Sequence, residues 1–288
     1  MNETTEPVVY INGKFWNQGE ASRILQGKEY SSTGGFYDTE RTFNGKIFRL
    51  RQHLERLYRG LEYSRLDPGL TIDEMIEITN KTLDANRRFL GPDEEYTITQ
   101  VASLSPVPAS EQSPTTMNVV VYCQKLNFSE FAEGYVNGVR VITPSTYTLS
   151  SNMSRSNSGR ENVRTYHLMT SSEGSITECR GGNFMFVCEG RIKLPDRDNV
   201  LSGVSMQTVL ELAEMLEIPV DEGDYSPMDV YHANEAFVSS TRFCILPVTT
   251  LNGYSLGRNV PGPTTRNLLD AWREIVGIDF IQQALKHI

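Results

Sequence analysis

The chain has 288 residues, 39% of them apolar and 22% charged, which is enough for a sizeable core and excludes a generally disordered chain. Its 36 acidic residues outnumber 27 basic ones, a formal charge of -9, so no basic face is expected for nucleic acid. No run approaches the ~20 apolar residues of a membrane helix, and the start MNETTEPVVY lacks the layout of an export signal, so a cytoplasmic protein with no membrane partner is expected.

The cysteines, Cys123, Cys179, Cys188 and Cys244, stand singly, without a C-x-x-C pair or a His at ligand spacing. Reduced thiols and no metal site are the expectation.

In chain order, VVYINGKF (8–15) alternates β-formers around Asn12-Gly13, a dipeptide suited to a two-residue hairpin turn. A second hairpin is predicted at Asn44-Gly45, within FYDTERTFNGKIFRL (36–50). That run passes into a helix with Leu50, Leu54, Leu57 and Leu61 on one stripe. Asp67-Pro68-Gly69 enters a second helix over 72–83, and strands follow at 96–104 and 117–122. The first 125 residues therefore read as a small α+β domain, 126–138 as a linker, and 139–288 as a larger α+β domain.

The second domain is predicted to open with a strand at 139–143. Residues 144–164 are rich in Ser, Asn and Arg without apolar periodicity, and read as a loop. Short strands are predicted at 166–170, 175–178, 183–188 and 191–194, with a turn at Glu189-Gly190. Then come a helix over 204–216, strands near 218–220, 235–239 and 244–248, a hairpin at Asn252-Gly253 and a last helix over 263–276.

Three segments carry chemistry. Leu201-Ser202-Gly203-Val204-Ser205 precedes a helix, where backbone N–H groups make an anion site, or where Ser simply caps the helix. NEAFVSST (234–241) is an apolar strand ending in hydroxyls that could donate to the same anion. SITECRGGNF (175–184) sets Glu178 at a strand end before a Gly pair and Asn183, where its carboxylate could pair with a protonated ring nitrogen or serve only as a turn carboxylate.

Taken in order, these segments resemble the fold-type IV pyridoxal-phosphate enzymes: branched-chain and D-amino acid aminotransferases, (R)-selective amine transaminases and aminodeoxychorismate lyase. The resemblance spans about residues 8–276 and includes INGKF, FRLRQHLERL, ITECRGGNFMFV, LSGVSMQTVLELA and NEAFVSSTRFCILPV. It implies a two-domain α+β fold, a homodimer, pyridoxal 5'-phosphate as cofactor and a small amine or amino acid as substrate. It further implies that Arg51, Val204, Ser205, Ser240 and Thr241 bind the cofactor phosphate, that Glu178 holds the ring nitrogen, and that Tyr37 and Arg242 face substrate.

The pattern departs from the family at one place. The lysine that such enzymes join to the cofactor is expected between Val139 and Tyr166, yet residues 126–192 contain no Lys, and its position falls near Asn152 or Arg155. Neither side chain replaces it, since Asn152 is not an amine and an Arg stays protonated. General acid–base catalysis contributes ~10²–10⁴-fold, so ordinary transamination is expected to be crippled and any bound cofactor non-covalent. Four outcomes stay open: an aminotransferase homologue that keeps the phosphate site, a non-catalytic binding or dimer-forming descendant, altered chemistry on the same site in which Arg155, Arg160 or Arg164 adds positive charge, and a natural gene product that differs from this sequence around Ser150 to Arg164.

Overall fold

The computed structural model describes residues 5–27, 34–104, 117–144 and 164–288. They gather into two compact units, Met1–Leu126 and Asn127–Ile288.

In the first unit the order is β1 (Val8–Ile11), β2 (Lys14–Asn17), α1 (Gln18–Leu25), β3 (Gly35–Phe43), β4 (Lys46–Ile47), α2 (Leu50–Tyr63), α3 (Ile72–Asn86), β5 (Tyr96–Leu104) and β6 (Met117–Lys125). The strands form one antiparallel sheet, β2-β1-β6-β5-β3-β4. Asn12-Gly13 and Asn44-Gly45 both have positive φ at each residue, as the tight turns require. The second turn is also held from a distance, because Asn44 N–H donates to Glu95 Oε1 at 2.6 Å and Gly45 N–H to Glu95 Oε2 at 3.2 Å.

The leucine stripe of α2 lands as its spacing dictates. Leu54, Leu57 and Leu61 are buried with Met75 and Leu83 of α3 against Tyr10, Ile98, Val119 and Val121 of the sheet. Helix α3 begins in a Thr71/Glu74 capping box and runs one turn past the expected 72–83, to Asn86. The reason is Asn86 itself, whose Oδ1 accepts from Val8 N–H at 2.8 Å while its Nδ2 donates to Val8 O at 2.8 Å, docking the helix end on β1. Helix α1 was not expected. Asn17 Oδ1 caps it by accepting from Glu20 N–H at 2.9 Å, and its buried residue, Ala21, packs on Val9, Ile11 and Val120.

The second unit starts with a 3-10 turn at Phe128–Glu130 and helix α4 (Gly134–Asn137), on which Phe128, Phe131 and Tyr135 are buried. It continues with β7 (Val139–Ile142), β8 (Thr165–Thr170), β9 (Ile176–Cys179), β10 (Asn183–Cys188), β11 (Arg191–Pro195), α5 (Val204–Met215), β12 (Val220–Gly223), α6 (Pro227–Tyr231), β13 (Glu235–Ser240), β14 (Cys244–Leu251), β15 (Tyr254–Ser255), α7 (Pro263–Val276) and α8 (Phe280–Leu285). The strand order is β12-β11-β10-β13-β14-β7-β8-β9, with β15 on β14. Pairs β11/β12, β14/β7 and β7/β8 are parallel and the others antiparallel, so this sheet is mixed.

The turns Glu189-Gly190 and Asn252-Gly253 again have positive φ at both residues, and α7 starts on Pro263 as expected. The strand expected near 218–220 is displaced to 220–223, because α5 runs out through Leu216 and Glu217, the latter at φ 54, before β12 can pair with β11. Among the described residues no helix is long and apolar enough to cross a membrane.

Candidate functional site

The second unit brings five of the expected cofactor residues, Glu178, Val204, Ser205, Ser240 and Thr241, to one end of its sheet. Strand β9 ends in Glu178-Cys179, and the Gly181-Gly182 pair turns the chain back into β10 at Asn183. Gly181 has φ 87, and a Cβ on Gly182 would sit 2.7 Å from Ser239 O, so both glycines are required by the turn. Asn183 pairs directly with Ser239 near the end of β13, which places Ser240 and Thr241 beyond the start of β10. Leu201 closes the arrangement: its N–H donates to Glu178 Oε2 at 2.9 Å, and its carbonyl accepts from Asn183 Nδ2 at 2.9 Å.

Three residues after Leu201, α5 begins with Val204 and Ser205, both nearly buried. The helix starts on Gly203 with no side-chain cap and no acidic residue in its first turn. Its first N–H groups and the positive end of its dipole are therefore available to an anion. Across from Asn183, the fully buried Ser239 Oγ finds no hydrogen-bond partner among the described residues. An uncapped helix start, the hydroxyls of Ser205, Ser240 and Thr241 and a carboxylate backed by two donors form a donor set that fits a phosphate-bearing, protonated ring.

Arg242 follows Thr241, and its Nη2 donates to Glu130 Oε2 at 2.6 Å. The same carboxylate accepts from Arg164 Nη1 at 3.3 Å, and Glu130 O accepts from that nitrogen at 2.9 Å. Burial pushes the Glu130 carboxyl up, but the two guanidinium groups outweigh it and hold it below its ordinary value. Tyr135 Oη donates to Phe243 O at 2.7 Å, so the turn after β13 is fixed from two sides. Glu130, 112 residues from Arg242, has no sequence signal that could have singled it out.

In the first unit, Arg51 lies in the first turn of α2, more than half exposed, with Nη2 2.6 Å from Asp73 Oδ1. Tyr37 is 73% exposed on β3. The neighbouring Asp38 points the other way, into the core. It accepts from His53 Nδ1 at 2.8 Å, from Arg56 Nε at 2.8 Å and from Arg56 Nη2 at 2.6 Å. Burial pushes Asp38 up, yet these partners together bring it below its ordinary value, while burial keeps His53 low against the pull of Asp38. Glu40, fully buried on the same face, is driven well above its ordinary value by burial, with the Asp38 charge adding to it. Gln100 Nε2 donates to its Oε1, and Oε2 has no partner among the described residues.

Asp38, Glu40 and His53 cluster closely enough to offer three metal-ligand atoms. The chemistry argues against a cation, since Arg56 already supplies the positive charge to Asp38 and Glu40 favours its protonated form. The period-2 pattern of β3, which puts Asp38 and Glu40 on the face of Phe36, was the available signal for this cluster.

Asn152, Arg155 and Arg160 lie outside the described residues. Lys125 and Lys193, the lysines nearest in sequence to the stretch that lacks one, are both ion-paired. Lys125, ending β6, has Nζ 2.5 Å from Glu94 Oε2. Lys193 on β11 pairs with Phe186, three residues along β10 from Asn183 and ~10 Å at the strand rise. Its Nζ lies 2.6 Å from Asp221 Oδ2.

The amino-transferase class IV family model matches residues 35–251. The chain belongs to this family. It is 24% identical over 278 residues to D-alanine aminotransferase of Staphylococcus haemolyticus, spanning 93% of this chain and 97% of that protein. It is 26% identical over 284 residues to a probable branched-chain-amino-acid aminotransferase of Thermotoga maritima, spanning 93% and 96%. The crystal structure of Escherichia coli branched-chain amino acid aminotransferase superposes with a TM-score of 0.79 at 21% identity, covering 94% of this chain and 95% of that one. The fold is thus the α+β fold of the fold-type IV aminotransferases, and the family uses pyridoxal phosphate.

Proposed function

We propose that this class IV chain binds pyridoxal phosphate non-covalently in its second unit and does not carry out ordinary transamination. The observation that carries the binding half is the Glu178 carboxylate, held by Leu201 and Asn183 beside the uncapped start of α5. In this reading Val204, Ser205, Ser240 and Thr241 surround the phosphate, and Glu178 pairs with the ring nitrogen. When bound, the cofactor supplies an electron sink through its protonated ring. On motif grounds Arg51 remains a further phosphate ligand, and its exposed pair with Asp73 is of small worth. On the same grounds Tyr37 and Arg242 remain substrate contacts, the substrate a small amine or amino acid, and the protein a cytoplasmic homodimer.

The observation that carries the catalytic half is the absence of any Lys from residues 126–192. Without it the chain lacks both the amine that would join the cofactor and the base that would move the substrate proton, which favours a pseudoenzyme or lysine-independent chemistry. Lys193 is held by Asp221, and neither Asn152 nor Arg155 offers a neutral amine.

The test is titration with pyridoxal phosphate, desalting, borohydride reduction and peptide mapping. Retention with no lysine adduct is expected. Loss of all cofactor on desalting would sink the binding half, and a stoichiometric adduct on one lysine would sink the catalytic half.

A further inference from the structure

We infer that Asn183 is the positioning residue that builds the ring-nitrogen carboxylate and the phosphate cup as one unit. The inference rests on the proposed cofactor site. Asn183 is nearly buried, and its Nδ2 donates to Glu178 Oε2 at 3.2 Å and to Leu201 O at 2.9 Å. Leu201 N–H donates to the same Glu178 oxygen at 2.9 Å, so three residues form a closed circuit. A carboxamide has two N–H donors, and both are spent here. None is left for a ligand, which separates Asn183 from the residues that would touch cofactor.

The amide orientation is decided by its surroundings. Turning it over would set Oδ1 against the Glu178 carboxylate, where two acceptors repel, and would leave Leu201 O without this donor. As placed, Oδ1 lies so close to Gly203 that a Cβ there would overlap it. Gly203 is the N-cap of α5 with an ordinary φ of -70, so its glycine is required by this contact and not by backbone conformation. One side chain therefore touches the strand-end carboxylate on one side and the N-cap of the anion-binding helix on the other. Shifting it should move Glu178 away from the ring nitrogen and loosen the helix start together.

The probe is pyridoxal phosphate carrying ¹⁵N in its ring, bound to the full chain and followed by NMR at a pH above the free cofactor's own ring titration. The bound ring nitrogen is expected to be protonated in the wild type and unprotonated in Glu178→Gln. Asn183→Leu should lower the ring's proton affinity at least tenfold and weaken cofactor binding about tenfold, with the chain still folded by circular dichroism. Gly203→Ala should give the same pair of effects through displacement of the Asn183 amide, and decides the matter if Asn183→Leu does not fold. Weaker binding with an unchanged ring titration in both variants would overturn the positioning role and leave the cofactor site standing. No uptake of cofactor by the wild type, or a ring insensitive to Glu178→Gln, would overturn the site and the inference together.

Discussion

His53 Nδ1 lies 2.8 Å from Asp38 Oδ1, with each side chain only 2% exposed, and Arg56 meets the other side of the same carboxylate. The proton therefore belongs on His53 Nδ1, and the His53 ring is neutral, since burial holds its pKa low. Asp38 is the shared acceptor through which strand β3 is fastened to helix α2.

Removing one partner of a buried ion pair strands the other charge, at a cost of about 3–5 kcal/mol. Asp38→Ala is expected to destabilise the first unit by that amount in urea unfolding. Asp38 sits below its ordinary 3.8 and His53 below its ordinary 6.5, so both contribute stability that is complete above those values and fades as pH falls through the folded ones. Below 3.8 the wild type should lose the Asp38 contribution, which the variant lacks, while the His53 loss that begins below 6.5 persists in both. A loss under 1 kcal/mol, or an acid limb unchanged in Asp38→Ala, would show that the bridge does not hold the two elements.

Glu40 has the opposite sign. Its folded pKa is raised above the ordinary 4.5, so its protonated form is favoured on folding and that contribution is present below 4.5 and lost as pH rises toward the folded value. The loss is about 1.4 kcal/mol per pH unit across that window. Glu40→Gln copies the protonated shape: its carbonyl can accept from Gln100 Nε2 as Glu40 Oε1 does. The variant is expected to match the wild type in mildly acidic buffer and to exceed it in thermal midpoint at pH 8. Equal midpoints at both would mean that Glu40 is not titrating in the core.

These residues also show what a sequence conceals. The four hairpin turns were legible because each needs two residues of positive φ, and Asn12-Gly13, Asn44-Gly45, Glu189-Gly190 and Asn252-Gly253 announce that need locally. The stripe of α2 and the Pro263 start of α7 were legible for the same reason. Helix α1 was not, since Ala21 alone among its residues is fully buried and one residue makes no periodicity. The site divides in the same way: Glu178, Gly203 and Ser240 lie in compact motifs, whereas Gln100 meets Glu40 and Glu130 meets Arg242 across 60 and 112 residues.

Glu130 bridges Arg242 and Arg164, but all three side chains are more than a third exposed, so solvent screens the bridge strongly. Glu130→Gln is expected to cost under about 1 kcal/mol in low salt and nearly nothing in 1 M NaCl, where the Debye length is about 3 Å. Chemical denaturation in urea at the two salt concentrations checks this. A cost independent of salt would make the contact one of packing rather than charge.

Glu235 caps α7 from a strand some thirty residues earlier. Its Oε1 accepts from Thr264 N–H at 2.9 Å, and its Oε2 accepts from Thr265 N–H at 2.8 Å and Thr265 Oγ1 at 2.7 Å. The N-cap, Gly262, offers no side chain, and a Cβ there would overlap the Glu235 carboxyl. An ordinary N-cap loss costs ~0.5–2 kcal/mol, and burial of the orphaned donors adds to it, so Glu235→Ala is expected to cost about 2–3 kcal/mol. Glu235→Gln keeps one acceptor and should cost about half as much. Amide exchange at Thr264 and Thr265 should quicken in both variants while the middle of α7 stays protected. If Glu235→Ala unfolds within 0.5 kcal/mol of the wild type, the first turn of α7 finds its partners elsewhere and β13 does not anchor it.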